Sequence, residues 1–288
     1  MSAPSAASPS AASRGELTVV KCGGTAGVDA EAVCADVADL VRAGQRVVLV
    51  HGGSADIGAL GTRLGVPERR MISDDGVDTR YTDPAALEVV VLALAGAVKP
   101  RLVAALARAG VDAVGLTGLD AGLLRARRTA AYRAVVDGRR MVLRDNHGGR
   151  LIGVRAELLR VLLAAGTVPV VSPPALGEDG RPVNVDADRA AAALAAALGA
   201  RTLVLLTGAP GVLADPADER SVLPSYALPP TGAPPGVGGG MAMKLIAGRE
   251  ALLGGVGRVL VADGRHDNPV RAAFTGAATE ITTRSADA

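Results

Sequence analysis

The chain has 288 residues, of which 49% are hydrophobic and only 1% aromatic, and its 31 basic and 29 acidic residues leave a formal net charge of +2. This near balance, without a long basic run, argues against generic binding to nucleic acid or to a membrane surface. Because aromatic rings are so rare, the core must be built from Val, Leu and Ala, which is typical of parallel sheets covered by helices.

The cysteines and the N-terminal segment favour a cytoplasmic protein. Cys22 and Cys34 have neither CxxC spacing nor neighbouring histidines, so they indicate no zinc site and no disulfide framework. Residues 1–15, rich in Ala, Ser and Pro, lack the charged start and apolar stretch of a signal peptide and are predicted to form a disordered tail. Asp, Arg or Gly interrupts the apolar stretches, so we expect no run of the roughly 20 apolar residues that a membrane span needs.

From Leu17 onward, short β-branched runs alternate with longer helical runs, which is typical of βαβ units in a mainly parallel sheet. Ligands of such sheets bind at the carboxyl ends of the strands. Pro100 is expected to kink the helix that Asp83 caps. The predicted elements are the strand Leu17 to Lys21, the helix Asp29 to Ala43, the strand Arg46 to Val50, a helix ending near Leu64, the helix from Pro84 and the strand Asp112 to Leu116.

The pattern then changes. Asp137-Gly138, between two β-rich runs that begin at Tyr132, predicts a hairpin with a type I′ turn. Pro173-Pro174 predicts a boundary between two lobes, and the Pro- and Gly-rich stretch 228–240 is compatible with either a mobile flap or a plain linker. The other predicted elements are the helices Ala156 to Ala165, Asp186 to Leu198 and Met241 to Leu253, and the strands Thr167 to Val171, Arg201 to Leu206 and Arg258 to Val261.

Lysine is scarce in this chain: only Lys21, Lys99 and Lys244 occur among the 31 basic residues. An ammonium group can act as a compact point charge among phosphate oxygens, whereas the guanidinium group of Arg is a planar fork. Lys21 and Lys244 lie in or beside Gly-rich segments, so we interpret them as candidate phosphate ligands. Lys99, inside a predicted helix, is interpreted as a surface or packing residue.

Two glycine pairs follow predicted strands, at Gly23-Gly24 and at Gly52-Gly53, although the chain has no P-loop and no GxGxxG motif. Glycine lets backbone N–H groups approach an anion without an intervening Cβ. Each pair is also compatible with an ordinary βα turn. Two pairs in succession, the first beside Lys21, favour phosphate binding.

A third polar segment precedes the predicted helix that begins near Asp186. Asp186 can act as its N-cap. Asp188, in the first turn, is either a carboxylate that favours the helix dipole or a group that positions cations.

Seven motifs, in this order along nearly the whole chain after the tail, resemble those of the amino acid kinase family. Within that family the chain resembles the acetylglutamate kinases, and most of all the branch that phosphorylates glutamate or 2-aminoadipate attached to a small amino-group carrier protein. The motifs are Lys-x-Gly-Gly-Thr from Lys21, His-Gly-Gly-Ser from His51, Arg80-Tyr81-Thr82-Asp83, Gly115 to Asp120, Asn184 to Asp188, Leu205 to Val212 and Gly240 to Lys244.

The resemblance implies an α/β fold, a three-layer αβα sandwich with an open, mainly parallel eight-stranded sheet. It also implies an N-terminal lobe, residues 16–173, for the acyl substrate, a C-terminal lobe, residues 174–284, for ATP, and a short tail at 285–288. The implied cofactors are ATP and Mg²⁺ carried by the nucleotide, with no metal site in the protein. Relatives of this kind imply a homodimer or a larger homo-oligomer.

The resemblance also implies roles for single residues. Lys21 and Lys244 match lysines that contact the transferring phosphoryl group, and Asp188 matches the aspartate that orients both. The remaining implied contacts are Gly23, Gly24, Thr207, Gly208 and Gly211 for the phosphates and the nucleotide, and Gly52, Gly53, Arg80 and Asn184 for the acyl substrate.

The implied chemistry agrees with these residue types. A carboxylate is already ionised, so its attack on the γ-phosphorus needs no general base; it needs positioning and relief of the repulsion between two anions. We therefore expect neither His51 nor Cys22 to be catalytic. His51 is interpreted as shaping its loop, and Cys22 as filling a small position.

Arginines crowd the predicted hairpin and its flanks, where the only acidic residues are Asp137 and Asp145. We interpret this excess as a docking patch for a small acidic carrier protein, because complementary charge speeds encounter and fixes register. The alternative is a solvated edge hairpin whose cations discourage edge pairing. The candidate docking residues are Arg128, Arg133, Arg139, Arg140 and Arg144.

Three functions stay open on the sequence. The first is a kinase acting on a carrier-bound carboxylate, a reading that Arg80-Tyr81-Thr82-Asp83 also favours. The second is a kinase of free N-acetylglutamate in arginine biosynthesis. The third is a catalytically inactive nucleotide-binding regulator on the same fold, which the joint presence of Lys21, Asp188 and Lys244 argues against.

Overall fold

The structure, a computed structural model, describes residues 15–24, 27–73, 78–129, 131–136 and 139–284. Both predicted tails, apart from residue 15, and the predicted Asp137-Gly138 turn therefore lie outside the described residues. In chain order the structure comprises β1 (Leu17–Cys22), α1 (Ala30–Arg42), β2 (Arg46–His51), α2 (Ser54–Arg63), β3 (Arg69–Ser73), β4 (Asp78–Tyr81), α3 (Pro84–Val91), a π-helical segment (Leu92–Val98), α4 (Lys99–Arg108), β5 (Ala113–Gly118), a 3-10 turn (Asp120–Gly122), β6 (Leu124–Arg128), β7 (Tyr132–Val136), β8 (Arg139–Leu143), β9 (Gly149–Val154), α5 (Glu157–Ala164), β10 (Val168–Gly177), β11 (Pro182–Val183), α6 (Ala187–Leu198), β12 (Thr202–Thr207), β13 (Ser225–Leu228), α7 (Gly239–Leu253), β14 (Arg258–Asp263), α8 (Pro269–Phe274) and β15 (Ala278–Thr283).

The main sheet follows the order β13-β15-β14-β12-β1-β2-β10-β6-β9, and β5 and β11 also pair with β10. Its central strands β14, β12, β1, β2 and β10 are parallel to one another. This confirms the predicted α/β class with a mainly parallel sheet. The sheet has eleven strands rather than the expected eight, because short strands such as the two-residue β11 and the four-residue β13 extend it.

Helices cover both faces of this sheet, as a three-layer sandwich requires. Val20 and Cys22 of β1 pack in a core cluster with side chains of α1, α4 and α8. Val19 points to the other face, in a cluster with side chains of α5, α6 and α7. Because successive side chains of a strand alternate between faces, Lys21 shares the α6–α7 face with Val19.

One long helical run, Pro84–Arg108, comprises α3, the π-helical segment and α4. By length and composition alone it could cross a membrane, so the expectation that no stretch meets this test is wrong here, although Glu88, Gly96 and Arg101 interrupt its apolar residues. Its buried side packs inside the protein, with Val90 and Leu94 in one cluster and Leu102 in another. The irregularity expected at Pro100 takes the form of the π-helical segment that ends just before it.

A second, antiparallel sheet follows the order β4-β3-β7-β8 and has its own small core, which includes Met71, Tyr81 and Leu143. β7 and β8 form the predicted hairpin. β3 and β4 escaped prediction, because the segment Arg69–Tyr81 is too polar to show a two-residue apolar period. We call this element the small sheet.

Two further segments bear on the predicted lobes. Pro173-Pro174 lies inside β10, so the main sheet runs through this point without a break. The Pro- and Gly-rich stretch after β13 is tied down: Arg249 of α7 donates to the carbonyl oxygens of Pro229 and Gly232 at 3.1 and 2.8 Å.

Candidate active site

Three buried charges meet above the carboxyl end of β1. Lys21 comes from β1, Asp188 from the first turn of α6 and Lys244 from α7. The Nζ atom of Lys21 lies 2.8 Å from Oδ1 of Asp188, and the Nζ atom of Lys244 lies 2.9 Å from Oδ2. The sequence places these residues far apart, and the fold brings two ammonium groups onto one carboxylate.

The electrostatics of this cluster follow from its burial. Burial works against the charge of Asp188, but the two lysines outweigh it and hold the pKa of this carboxyl at about 2. Burial also opposes the charge of Lys21, yet its attraction to Asp188 leaves the pKa of Lys21 above its ordinary value. Burial and repulsion by Lys21 lower the pKa of Lys244. Two cations share one carboxylate, so the cluster can attract a further anion.

The predicted N-cap positions Asp188. A side-chain oxygen of Asp186 accepts a hydrogen bond from the Arg189 N–H at 2.9 Å, which fixes the first turn of α6. Burial and the neighbouring Asp188 raise the pKa of Asp186. In the same first turn, the side chain of Arg189 forms a two-armed ion pair with Glu250 of α7. These contacts lock α6 to α7 and thereby hold Asp188 and Lys244 together.

The two glycine pairs form one unit. The carbonyl oxygen of Gly24 accepts hydrogen bonds from the Ser54 hydroxyl at 2.8 Å and from the Ala55 N–H at 3.0 Å. A Cβ at Gly24 would lie 2.4 Å from the Gly53 nitrogen, so only glycine allows this approach. A Cβ at Gly52 would touch Ala187, the first residue of α6. Both loops therefore lie beside the helix that carries Asp188.

The predicted nucleotide loop begins at the end of β12, which pairs with β1 and β14. Gly208 lies close to the first glycine loop, since a Cβ at Gly27 would be 3.7 Å from its Cα. The carbonyl oxygen of Thr207 accepts a hydrogen bond from the Gly264 N–H at 2.7 Å. A Cβ at Gly211 would lie 2.8 Å from the hydroxyl oxygen of Thr279, which leaves no room for a side chain.

The two residues predicted to bind the acceptor are joined through Thr82. The side-chain amide of Asn184 donates to the Thr82 hydroxyl at 3.1 Å, and that hydroxyl lies 3.4 Å from the Arg80 carbonyl oxygen. The guanidinium group of Arg80 is largely buried and forms an ion pair with Glu68 at 3.0 Å. Glu68 was missed from the sequence, because a single acid before a run of arginines carries no positional signal.

The segment that contains Arg80 is also anchored to the chain after the hairpin. The Tyr81 hydroxyl donates to Asp145 at 2.6 Å, and the Thr82 N–H donates to the side-chain oxygen of Asn146 at 3.0 Å. Burial and the bond to Asp145 raise the pKa of Tyr81 to about 12. The small sheet and the acceptor residues are thus connected.

The candidate docking arginines differ from one another. Arg128 is partly buried and donates to the carbonyl oxygens of Asn146 and Arg144, so it holds the base of the hairpin. Arg133, Arg140 and Arg144 are exposed. The side chain of Arg139 lies outside the described residues. Arg133, Arg139 and Arg140 lie on the small sheet and Arg144 directly follows it, whereas Arg128 ends β6 of the main sheet.

Among the residues that the structure describes, no group of three or more His, Cys, Asp and Glu side chains could hold a metal ion. Cys22 and Cys34 are both buried free thiols.

Comparison with known proteins places these features in context. Residues 16–263 match the sequence profile of the amino acid kinase family. The LysW-aminoadipate kinase of Deinococcus radiodurans is 40% identical over 268 residues, which cover 92% of this chain and 91% of that protein. An acetylglutamate kinase of Symbiobacterium thermophilum is 38% identical over 257 residues, 87% of this chain and 85% of that protein.

A solved structure gives the same result at the level of the fold. The N-acetylglutamate synthase of Neisseria gonorrhoeae, in complex with coenzyme A and N-acetylglutamate, superposes with a TM-score of 0.72 at 25% identity. The match covers 94% of this chain and 60% of that protein.

Proposed function

The chain belongs to the amino acid kinase family, and we propose that it transfers the γ-phosphoryl group of ATP to the side-chain carboxylate of glutamate or 2-aminoadipate held on a small acidic amino-group carrier protein. The product is an acyl phosphate. The observation that carries the proposal is the buried contact of Lys21 and Lys244 with one carboxylate, Asp188. This arrangement suits a reaction in which an anion attacks an anion.

In this proposal the two lysines neutralise the transferring phosphoryl group and Asp188 orients them. The attacking carboxylate needs no base, and in the part of the chain that the structure describes Nε2 of His51 has no hydrogen-bond partner that could relay a proton. His51 makes its side-chain hydrogen bond to the carbonyl oxygen of Gly52. Preorganised cations stabilise charge where it develops in the transition state, without reorganisation during the reaction.

The glycine unit fits a bound triphosphate. Its backbone approaches so closely at Gly24 and Gly53 that a Cβ would fill the space, and exposed N–H groups of such loops bind anions. Gly208 and the Gly211 loop, beside it, would contact the rest of the nucleotide. Mg²⁺ would enter with the nucleotide and supply charge neutralisation between the phosphates.

We further propose that Arg80 and Asn184 bind the amino-acid end of the acceptor. The planar guanidinium group of Arg80 can donate two parallel hydrogen bonds to a carboxylate, and in the structure it forms an ion pair with the carboxylate of Glu68. An acceptor carboxylate would take the place of Glu68 on Arg80. Asn184, joined to Arg80 through Thr82, would orient the same end of the substrate.

The choice of a carrier-bound acceptor has two supports. The first is the relationship to the LysW-aminoadipate kinases of Deinococcus radiodurans and Thermus thermophilus, at 40% and 39% identity. The second is one face of the small sheet. Residues directly opposite each other in an antiparallel pair share a face, as do residues two apart on a strand.

By this rule, Arg80 shares a face with Arg70 and Ile72, and Ile72 shares it with Val135. The same face continues to Arg133 on β7 and to Arg140 and Val142 on β8. It combines exposed arginines with exposed apolar side chains: Ile72 is 47% exposed and Val142 is 50% exposed. We call this surface the basic face. An acidic carrier docked on the basic face could present its amino acid to Arg80.

The test uses purified protein with ATP and hydroxylamine, which traps an acyl phosphate as a hydroxamate. The acceptors are 2-aminoadipate or glutamate on the acidic carrier, and free N-acetylglutamate. We expect hydroxamate with a carrier-bound acceptor and little with the free one. Ordinary turnover of free N-acetylglutamate would instead support the free-substrate kinase, and no product with any acceptor would support an inactive regulator.

We propose a homodimer or larger homo-oligomer, which light scattering of the same sample would check.

A further inference from the structure

His51 ends β2 on the face of the main sheet opposite to the charged cluster. It pairs in register with Cys22, and its side chain is 1% exposed. The ring atom Nδ1 lies 2.9 Å from the carbonyl oxygen of Gly52. A carbonyl oxygen can only accept, so Nδ1 carries the hydrogen and donates it. The other ring nitrogen, Nε2, has no hydrogen-bond partner in the described part of the chain.

The imidazole is neutral at physiological pH. Burial, with smaller contributions from the charges of Lys99 and Lys21, lowers the pKa of His51 to about 4, while the hydrogen bond to Gly52 and the charge of Asp56 act in the opposite direction. A neutral ring with its hydrogen on Nδ1 is a permanent donor to Gly52. The bond to Gly52 should therefore persist over the whole range in which an enzyme of this kind is assayed.

This hydrogen bond also fixes the direction of the Gly53 N–H, because the Gly52 carbonyl and the Gly53 N–H belong to one planar trans peptide. In such a peptide, C=O and N–H point in opposite directions. If His51 holds the carbonyl on its own face of the sheet, the N–H of Gly53 must point away from that face. Gly53 lies against Gly24, and Gly52 against Ala187 beside Asp188, so this direction leads toward the charged cluster.

The two glycines themselves restrain this peptide only weakly. Neither glycine has side-chain rotamers to lock it, and glycine backbones rotate freely. Gly53 is the N-cap of α2 and has no side-chain cap bond. Leu94 and Val98 pack against the Cα of Gly53, whereas a cavity of about 420 Å³ borders His51 and Gly52 on the α4 side. Gly24 lies against the carbonyl carbon of Gly52 and the nitrogen of Gly53, and the carbonyl oxygen of Gly52 is held by the hydrogen bond from His51.

We propose that His51 is a positioning residue for phosphoryl transfer: its Nδ1–H holds the Gly52 carbonyl and so aims the Gly53 N–H at the oxygens of the reacting groups. The inference rests on the proposed kinase function. It assigns no proton transfer to His51. Loss of the hydrogen bond lowers turnover, because the Gly53 N–H is then no longer held in the direction that the transition state needs.

The test compares two variants that place an amide nitrogen at the position of one or the other ring nitrogen of His51. In His51→Asn the side-chain amide nitrogen sits where Nδ1 was, so the variant can still donate to Gly52. In His51→Gln the amide nitrogen reaches the position of Nε2 and the donor is lost. We expect His51→Asn to keep kcat within a few-fold of the wild type, and His51→Gln to lower it by about tenfold or more, with KM for ATP changed much less in both.

Ser172 provides a matched control. It follows Val171, which pairs with Val50, so it lies beside His51 on the neighbouring strand. It is fully buried, and its hydroxyl also has no partner in the described residues. Ser172→Ala should leave kcat unchanged.

The wild type and His51→Asn should share one pH–rate profile between pH 6 and 9, since the imidazole does not titrate there.

Two results would overturn the inference: equal kcat in His51→Asn and His51→Gln, or a loss of kcat in Ser172→Ala as large as that in His51→Gln. Both comparisons use small polar or isosteric replacements whose melting temperatures are measured alongside. An inactive wild type with every acceptor would instead contradict the proposed function, so the two failures are distinguishable.

Discussion

The charged cluster and the basic face use the same kind of charge in opposite ways. At the cluster, Lys21 of the main sheet and Lys244 of α7 are buried and held within 2.9 Å of Asp188 on α6. On the basic face, Arg133 and Arg140 are exposed on a small antiparallel sheet. Buried, fixed cations suit reacting atoms, because they need no reorganisation. Exposed cations suit a mobile protein partner, because they act over distance and change mainly the rate of encounter.

The comparison predicts that changes at the cluster abolish chemistry with every acceptor, while changes on the basic face affect only a docked partner.

Lys21→Arg and Lys244→Arg should each lower turnover by about 10²- to 10³-fold, which is the usual cost of removing one preorganised donor. The planar guanidinium cannot replace an ammonium that is buried against Asp188. Hydroxamate formation gives the rate, and circular dichroism checks the fold. Lys99→Arg is the matched control: Lys99 is partly exposed and its stem rests on Gly115, so its rate should stay near that of the wild type. Near-normal turnover in either cluster variant would remove the lysines from the mechanism.

Asp188→Asn should cost about 3–5 kcal/mol of stability, because it removes the carboxylate that both buried ammonium groups contact. In the wild type the pKa of Asp188 is about 2 against an ordinary value of 3.8. The folded state therefore binds fewer protons than the unfolded state between these values. The contribution of Asp188 is fully present above about pH 4 and is lost as the pH falls toward 2.

Urea unfolding of both proteins at pH 7 and at steps between pH 4 and 2 checks this. The difference in unfolding free energy should shrink as the pH falls. Asp39→Asn, at a half-exposed ion pair on α1, should change little. A pH-independent difference between Asp188→Asn and the wild type would contradict the assigned charge state.

Arg80→Lys should raise KM for the acceptor by about 10- to 100-fold, the equivalent of one charge-assisted hydrogen bond. KM for ATP should not change, because Arg80 lies on β4 of the small sheet and forms its ion pair with Glu68, just before β3, rather than with the glycine unit. Arg63→Lys, on the exposed end of α2, is the control. An equal rise in KM for ATP would contradict the assignment of Arg80 to the acceptor site.

Tyr81→Phe should have the smallest effect. It removes the hydrogen bond to Asp145, worth about 1 kcal/mol of unfolding free energy, and loosens the link between Arg80 and the hairpin. We expect a few-fold rise in KM for a carrier-bound acceptor, measured by hydroxamate formation. A larger effect on kcat than on KM would place Tyr81 in the chemistry instead.

The sequence predicted the main sheet better than the small sheet, for a physical reason. β1 and β2 are runs of buried Val and Leu, and a Gly pair after each marks its end. β3 and β4 carry Arg and Asp on a half-solvated pair, so no apolar period reveals them. The helical run Pro84–Arg108 was also predicted wrongly: its few charges made it look too polar for a membrane-length stretch, but they do not interrupt the helix.

The candidate site shows the same division. Lys21, Asp188 and Lys244 were found from scarcity and motif order, but their shared contact depends on how α6 and α7 pack. The pairing of Arg80 with Glu68 depends on strand register in β3 and β4, which no local pattern specified. The sequence associated His51 with its loop, but only coordinates show its hydrogen bond to Gly52 and an Nε2 atom without a partner among the described residues.

The central claim, that the main sheet performs the transfer and the basic face selects the partner, is tested most directly by the double variant Arg133→Glu/Arg140→Glu on two acceptors. We predict that kcat/KM for the carrier-bound amino acid falls by about tenfold or more and loses its salt dependence, while KM for ATP and the residual rate with free acceptor stay unchanged. Arg201→Glu, at the amino-terminal end of β12, should behave as the wild type. An unchanged kcat/KM for the carrier-bound acceptor, or an equal fall with the free one, would contradict the account.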